Sequence, residues 1–319
     1  MKKIIAKIKN SKLIKAIQKK LDKIVLPGFE GLSLLQVGSF FIAGLKKNSL
    51  TTRAYSLAFR FFLALFPSII FLFSLIPFIP IHNFQEEVML MMEVGLPSDA
   101  YSLLEKTIHG ILSKSNGGLV SFGFIFAFYL ATNGINAMLM SFNSSYFNQN
   151  KRKPIILWLR AILLLFVLSS LMVLAITIIV FGESIIHFLI NQGIIKGGFN
   201  AFLLQLIEVL VFMLLCFFGF SLTYYIGSPK GEKFKLISAG STLATLLTII
   251  ISFGFAFYVN NFSNYNKFYG SIGALIVIML WLYYNSLSIL IGYELNASIK
   301  YAKRVNLKKL KFVNDEKVA

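Results

Sequence analysis

Six apolar stretches dominate this chain, at residues 54–80, 118–140, 155–181, 201–227, 234–259 and 269–299. Each is long enough to cross a bilayer as a helix, because a hydrocarbon core about 30 Å thick takes about 20 helical residues. Backbone polar groups find no water in that core, so such a stretch must satisfy them internally. Composition agrees: 57% of the residues are hydrophobic and 14% charged, against about 25% charged in soluble domains. A water-soluble globule, a disordered chain and a coiled coil are excluded. The expected fold class is all-α, a polytopic membrane bundle with six transmembrane helices, N-terminal interfacial helices and a small extracytoplasmic helical loop.

Charge placement orients the bundle. The 31 Lys and Arg against 13 Asp and Glu give a formal charge of +18. Basic residues crowd before the first span, from Lys2 to Arg53, after the second (Lys151, Arg152, Lys153), after the fourth (Lys230, Lys233, Lys235) and in the tail from Lys300 to Lys317. The other side carries Lys106, Lys114, Lys196 and Lys267, while Arg60 and Arg160 lie near span ends. Short loops rich in Lys and Arg stay cytoplasmic, so both termini are expected inside. The chain then divides into a basic amphipathic region, 1–53, a membrane domain, 54–299, and a basic tail, 300–319.

Residues 1–25 place Ile4, Ile5, Ile8, Leu13, Ile14, Ile17, Leu21 and Ile24 at helical spacing among nine lysines. That pattern predicts a surface-lying helix, either attached to anionic inner-leaflet lipid or serving only as a basic topology signal. Pro27-Gly28 ends it. The apolar segment 32–45 reads as an interfacial elbow, with a short re-entrant span as the alternative. In the outer loop 81–117, Leu96-Pro97-Ser98-Asp99 opens a helix whose apolar face would cap the outer mouth.

Charges at membrane depth need a partner, a water cavity or a route to the surface. Arg60 and Glu294 share a depth near the cytoplasmic face and form one candidate pair; Glu208 lies below the outer end of the fourth span. Thr132, Asn133 and Asn136 form a polar cluster in the second span. Ser238, Ser241, Thr242, Thr245, Thr248 and Ser252 form a row in the fifth at three- and four-residue steps. Such residues either hold helices together or line a pathway. Pro67 predicts a kink or a break in the first span, and Gly270 and Gly273 mark a possible close approach at the start of the last. The lone Cys216 reads as inert packing.

Several blocks carry a family resemblance: RAYSLAFRFFLALFPSIIFLFSLIPF from Arg53, LPSDAYSLLE from Leu96, INAMLMSFNSSYF leading to the loop KRKP, and YYIGSP from Tyr224. The most specific are FYVNNFSNYNKFYGSIGALIVIMLWLYYNS, with Tyr269, Gly270, Gly273 and Trp281, and ILIGYELNAS, with Gly292, Tyr293, Glu294 and Asn296. In these blocks the chain resembles the YihY/BrkB family of bacterial inner-membrane proteins, once labelled ribonuclease BN. Arg60 and Ala64-Leu65-Phe66-Pro67 depart from the family's usual first motif. The resemblance implies six helices with both ends inside, a place in the bacterial inner membrane and a link with envelope integrity, with lipid export or flipping as the suggested activity.

Two readings follow. One is a transporter or flippase of a lipid or other amphiphile, its basic inner surface gathering anionic headgroups; the other is a scaffold whose polar seam only binds helices. A nuclease is not expected, because metal-assisted cleavage needs clustered carboxylates or histidines, whereas His82, His109 and His187 are scattered and all fall outside. No Walker phosphate loop, paired CxxC or GxSxG occurs, so no enzyme activity, cofactor, metal or specific nucleic-acid partner is expected.

Overall fold

The structure, a computed structural model, describes residues 19–47, 49–75, 89, 117–148, 151–191, 197–230, 235–261 and 271–318. A short helical stretch at 19–23 precedes α1 (Leu34–Lys47), α2 (Leu50–Leu75), α3 (Gly117–Asn143), α4 (Pro154–Asn191), α5 (Gly197–Ile226), α6 (Ala239–Asn261) and α7 (Ser271–Val318). No strand occurs among the described residues. The expected outer cap at 81–117 and most of the N-terminal amphipathic segment lie outside them.

Local chemistry sets the helix ends. Ser33 accepts from the Gln36 amide at 3.2 Å, capping α1, and donates to Asp22 at 2.7 Å. Pro154 opens α4, where its missing N–H costs nothing. At the start of α6 the Ser238 amide donates to the Ser241 hydroxyl and the Ser241 amide to the Ser238 hydroxyl, both at 3.2 Å, a reciprocal cap. The predicted break at Pro67 is absent: α2 runs through it to Leu75. A proline in mid-helix removes only one ladder bond, which packing on both flanks can outweigh.

α2 to α7 form a closed ring in chain order, each helix packing on the next and α7 returning to α2. α1 lies outside this ring against α7, with Val37 beside Leu295, Ile299 and Ala302. The 14-residue segment expected as an elbow is thus a helix leaning on the bundle. Among the described residues the core gathers where α3 and α5 end and α6 begins, around Ala54, Leu57, Leu139, Phe142, Leu164, Leu290 and Tyr293. Outward faces are apolar, as Leu246, Ile250, Phe253 and Phe257 on α6 illustrate.

Five helices, α3 to α7, are long and apolar enough to cross a membrane. α2 matches them in length, with 26 residues, but carries Arg53 and Arg60. α4 and α7, of 38 and 48 residues, are about 57 and 72 Å long at about 1.5 Å per residue, well beyond one hydrocarbon thickness. α7 continues without interruption through the basic stretch after Ile299.

Candidate functional site

At the densely packed end, α7 is enclosed on all sides: every residue from Gly292 to Ile299 is buried. Glu294, fully buried, forms an ion pair with Arg53 of α2, Nη1 to Oε1 at 2.8 Å. Its second oxygen accepts from the Ser145 hydroxyl at 2.8 Å. Arg53 Nη2 donates to the Ser141 carbonyl at the end of α3, while its Nε has no partner among the described residues. One carboxylate thus joins α2, α7 and the turn after α3. The pair suggested by depth, Arg60 with Glu294, is not formed. Arg60 lies about two turns further along α2 and is exposed, while Arg53 sits level with the end of α3.

Beside this pair an aromatic cluster closes the ring. Phe142 stacks on Tyr293 with centroids 4.2 Å apart and an interplanar angle of 5°. Tyr224 meets both edge-on, at 5.7 and 6.1 Å. These are favoured arrangements for aromatic quadrupoles, and they bring α3, α5 and α7 together across the interior. The buried hydroxyls are satisfied: Tyr224 donates to the Ile289 carbonyl at 2.7 Å, and Tyr293 accepts from Asn148 at 2.9 Å.

α6 and α7 cross at Gly240 and Gly292. A Cβ built on Gly292 would lie 2.5 Å from the Gly240 carbonyl oxygen and 2.5 Å from the Tyr224 hydroxyl. One Cβ on Gly240 would strike the Gly292 carbonyl. Asn296 locks the crossing, accepting from the Gly240 amide and donating to the Ser238 hydroxyl, both at 2.9 Å. Lipid offers no hydrophobic drive for helices to associate, so close small-residue contact and polar ties must supply it.

Arginines hold the end of α5. Arg152 donates to the Ser228 and Pro229 carbonyls at 2.9 and 3.0 Å, and Arg160 donates to those of Ile226 and Ser228. Terminal helix carbonyls lack intrahelical partners, and a cation there also suits the dipole. Sequence reading took these residues only as topology signals.

Glu30 makes a second clip. It adopts φ 53 between Gly28 and Gly31, themselves at φ 84 and 82, and receives Lys300 at 2.8 Å and Lys303 at 2.6 Å. Burial alone would raise its pKa, but the hydrogen bonds and charge of the two lysines outweigh that and hold it at about 2, below the ordinary 4.5. A carboxylate so depressed stabilises the fold above about pH 4.5 and loses that contribution as pH falls toward about 2. Thermal unfolding of Glu30→Gln against wild type should therefore show a gap at neutral pH that closes over this window. A constant gap across it would contradict the clip.

Ser238, Ser241 and Thr245 are buried in the α6–α7 seam and hydrogen-bonded there. Trp281 is 37% exposed on the outside of α7, and Pro67 is half-buried. Glu208 and Gly273 fall within α5 and α7, whereas Tyr269 and Gly270 lie outside the described residues.

One further set is unusual, and of it only Thr132, Asn136 and Thr248 were expected from sequence. Thr132, Ser221, Thr248 and Ser286 are buried, yet their hydroxyls, with the Asn136 side-chain oxygen, have no hydrogen-bond partner among the described residues. Helical Ser and Thr ordinarily bond the carbonyl four residues back, as Thr245, Ser288 and Ser298 do here. Asn133 is half-buried beside them on α3. Counted from the aromatic cluster at about 1.5 Å per residue, Ser221 lies about 4 Å, Ser286 about 10 Å and Thr132 about 15 Å toward the opposite end. Thr248, eight residues beyond the Gly240 crossing, falls about 12 Å along. Four helices thus carry unpaired buried polar atoms at staggered heights beyond the aromatic cluster. Among the described residues no group of three His, Cys, Asp or Glu could hold a metal ion.

A ring of long apolar helices with charged and amide groups tied inside it defines a polytopic membrane protein. The family model described as Virulence factor BrkB matches residues 41–315, and the chain belongs to that family. It is 34% identical over 265 residues to a Bacillus subtilis (strain 168) protein carrying the name ribonuclease-like protein YfkH, covering 80% of this chain and 91% of that one. It is also 31% identical over 109 residues to the UPF0761 membrane protein PSHAa0171 of Pseudoalteromonas translucida (strain TAC 125), 34% of each chain. With the UPF0761 membrane protein XAC0937 of Xanthomonas axonopodis pv. citri (strain 306) it shares 40% identity over 60 residues, 19% of this chain and 14% of the other. No solved structure matches.

Proposed function

We propose that the chain crosses the bacterial inner membrane six times, α2 to α7, with both termini and the Arg53–Glu294 end in the cytoplasm, and that it moves a lipid or other amphiphile through the ring interior. The observation that carries this reading is the set of buried hydroxyls without a partner, spread over four helices, which would form a polar column if they face the ring interior. Each such atom costs about 1–3 kcal/mol when left unsatisfied, so a bundle built only to hold together would replace them with alanine or valine. A polar headgroup passing along the column would satisfy them in turn. The aromatic cluster and the Arg53–Glu294 pair then form its cytoplasmic closure. The name of the Bacillus relative brings no nuclease to this proposal, since among the described residues no cluster of His, Cys, Asp or Glu that could hold a metal ion occurs.

The test is reconstitution into liposomes carrying headgroup-labelled lipid, with the label on the protected leaflet followed over time. Movement above empty vesicles is expected for at least one headgroup class, and Thr248→Val with Ser286→Ala should slow it severalfold without loss of folded protein. No movement across a panel of anionic, zwitterionic and glycosylated lipids would contradict the proposal. It would favour the scaffold reading, which the sealed Ser238–Asn296–Gly240 seam supports.

A further inference from the structure

A narrow cleft of about 20 Å³, room for one water-sized group, opens on the surface where the turn at 27–31 meets the start of α6 and the end of the buried stretch of α7. Gly28, Glu30, Lys235, Ser238, Asn296 and Lys300 line it, with Ile237 on its outer side. Lys235 approaches Glu30 at 4.0 Å, and Lys303 closes on the same carboxylate from the other side. Three ammonium groups therefore surround one carboxylate, leaving an excess of two positive charges. Lys235 is the loosest, its side chain 65% exposed, and an ammonium carries three donors, so it retains bonding capacity toward a second anion. Ser238 and the Gly240 and Ser241 amides are already engaged, and the lysines carry the charge that an anion would meet.

The flank of the cleft is apolar. Ile237 is 70% exposed and Leu236 42%, while Val25 and Leu26, just before the turn, are 54% and 40% exposed. A cation cluster beside an exposed apolar collar at the end of a membrane bundle matches both halves of an amphiphile: phosphate against lysine, acyl chain against Ile237 and Leu236. Soluble phosphate would use only the first half.

We propose that this cleft receives one phosphodiester oxygen of an anionic glycerophospholipid, with Lys235 and Lys300 lining it and Lys303 beside them on Glu30 as the cations, and Glu30 as the built-in anion with which the headgroup competes. Glu30 holds the lysines together when no lipid is bound. The arriving phosphate shares Lys235 first, because that contact is the longest of the three. The site rests on this end of the bundle lying at a membrane surface, and it does not require transport: a protein that moves no lipid in vesicles can still pass the test below.

The test uses the full chain purified in an uncharged detergent and titrated with dioctanoyl-phosphatidylglycerol, dioctanoyl-phosphatidylcholine or inorganic phosphate. Phosphatidylglycerol should bind at least about fivefold more tightly than phosphatidylcholine, and Lys235→Ala, which leaves the Glu30 clip intact, should weaken it about fivefold, the loss expected for one lysine at an anionic surface. Glu30→Gln should strengthen it severalfold by removing the competitor. Equal affinity for the two lipids, or an unchanged phosphatidylglycerol affinity in Lys235→Ala, would overturn the proposal. Displacement of phosphatidylglycerol by inorganic phosphate at matching concentration would also overturn it, reassigning the cleft to a free anion.

Discussion

Glu294→Ala will destabilise the protein by about 3–5 kcal/mol, the usual cost of stranding one member of a buried ion pair. The carboxylate is fully buried and accepts from both Arg53 and Ser145, so its removal leaves a guanidinium with a side-chain exposure of only 13% and no counter-charge. Arg53→Met should cost a similar amount, because it leaves the carboxylate in the same position. The double replacement Arg53→Met with Glu294→Leu should recover most of the loss, since an apolar pair of similar volume carries no desolvation penalty. Thermal melting in detergent separates these outcomes. Single variants that melt with wild type would mean that the pair contributes nothing. If the double variant melts normally but fails in the lipid-movement assay, the pair is kept for opening the ring and not for holding it.

Gly240→Ala should be as damaging, by about 3 kcal/mol or more, at the upper end of what overpacking costs. The added Cβ would meet the Gly292 carbonyl and the Asn296 side chain, and a backbone group cannot swing aside as a flexible side chain can. The α6–α7 seam would have to part, taking with it both Asn296 hydrogen bonds. Gly254→Ala, on the same helix but with nothing within 4 Å of the new Cβ, is the control. There alanine removes backbone freedom from the unfolded chain and should be neutral or stabilising by up to about 1 kcal/mol. Equal melting temperatures for the two variants would contradict the crossing geometry.

Apolar runs located the helices well: the stretch read at 118–140 is Gly117–Asn143, and that at 201–227 is Gly197–Ile226. Hydropathy reports where a helix can rest in lipid, and that is a local property. Which side chains meet across the ring is not local. Arg53 and Arg60 both sit on the first helix, and only the position of the α3 terminus decides that Arg53 takes Glu294. Close approach was sought at Gly270 and Gly273, whose surroundings lie outside the described residues; a described contact is at Gly240 and Gly292, in the middle turns of α7. The Ser/Thr row on α6 was visible as one face, but nothing in its spacing distinguished Ser241 and Thr245, bonded within the helix, from Thr248, whose hydroxyl is unpaired. The arginine ties at the end of α5 were hidden for the same reason, since KRKP reads as charge until the carbonyls of Ser228 and Pro229 are placed beside it.

The proposed closure at a cytoplasmic mouth depends on which side of the membrane holds the Arg53–Glu294 end, and thiol labelling measures that directly. In a Cys216→Ser background, Lys153→Cys puts a single thiol on the exposed turn between α3 and α4. A membrane-impermeant maleimide should leave it unmodified in intact cells and label it fully in inverted vesicles. Labelling in intact cells would place the closed end outside and contradict the proposed orientation together with the direction of gating built on it.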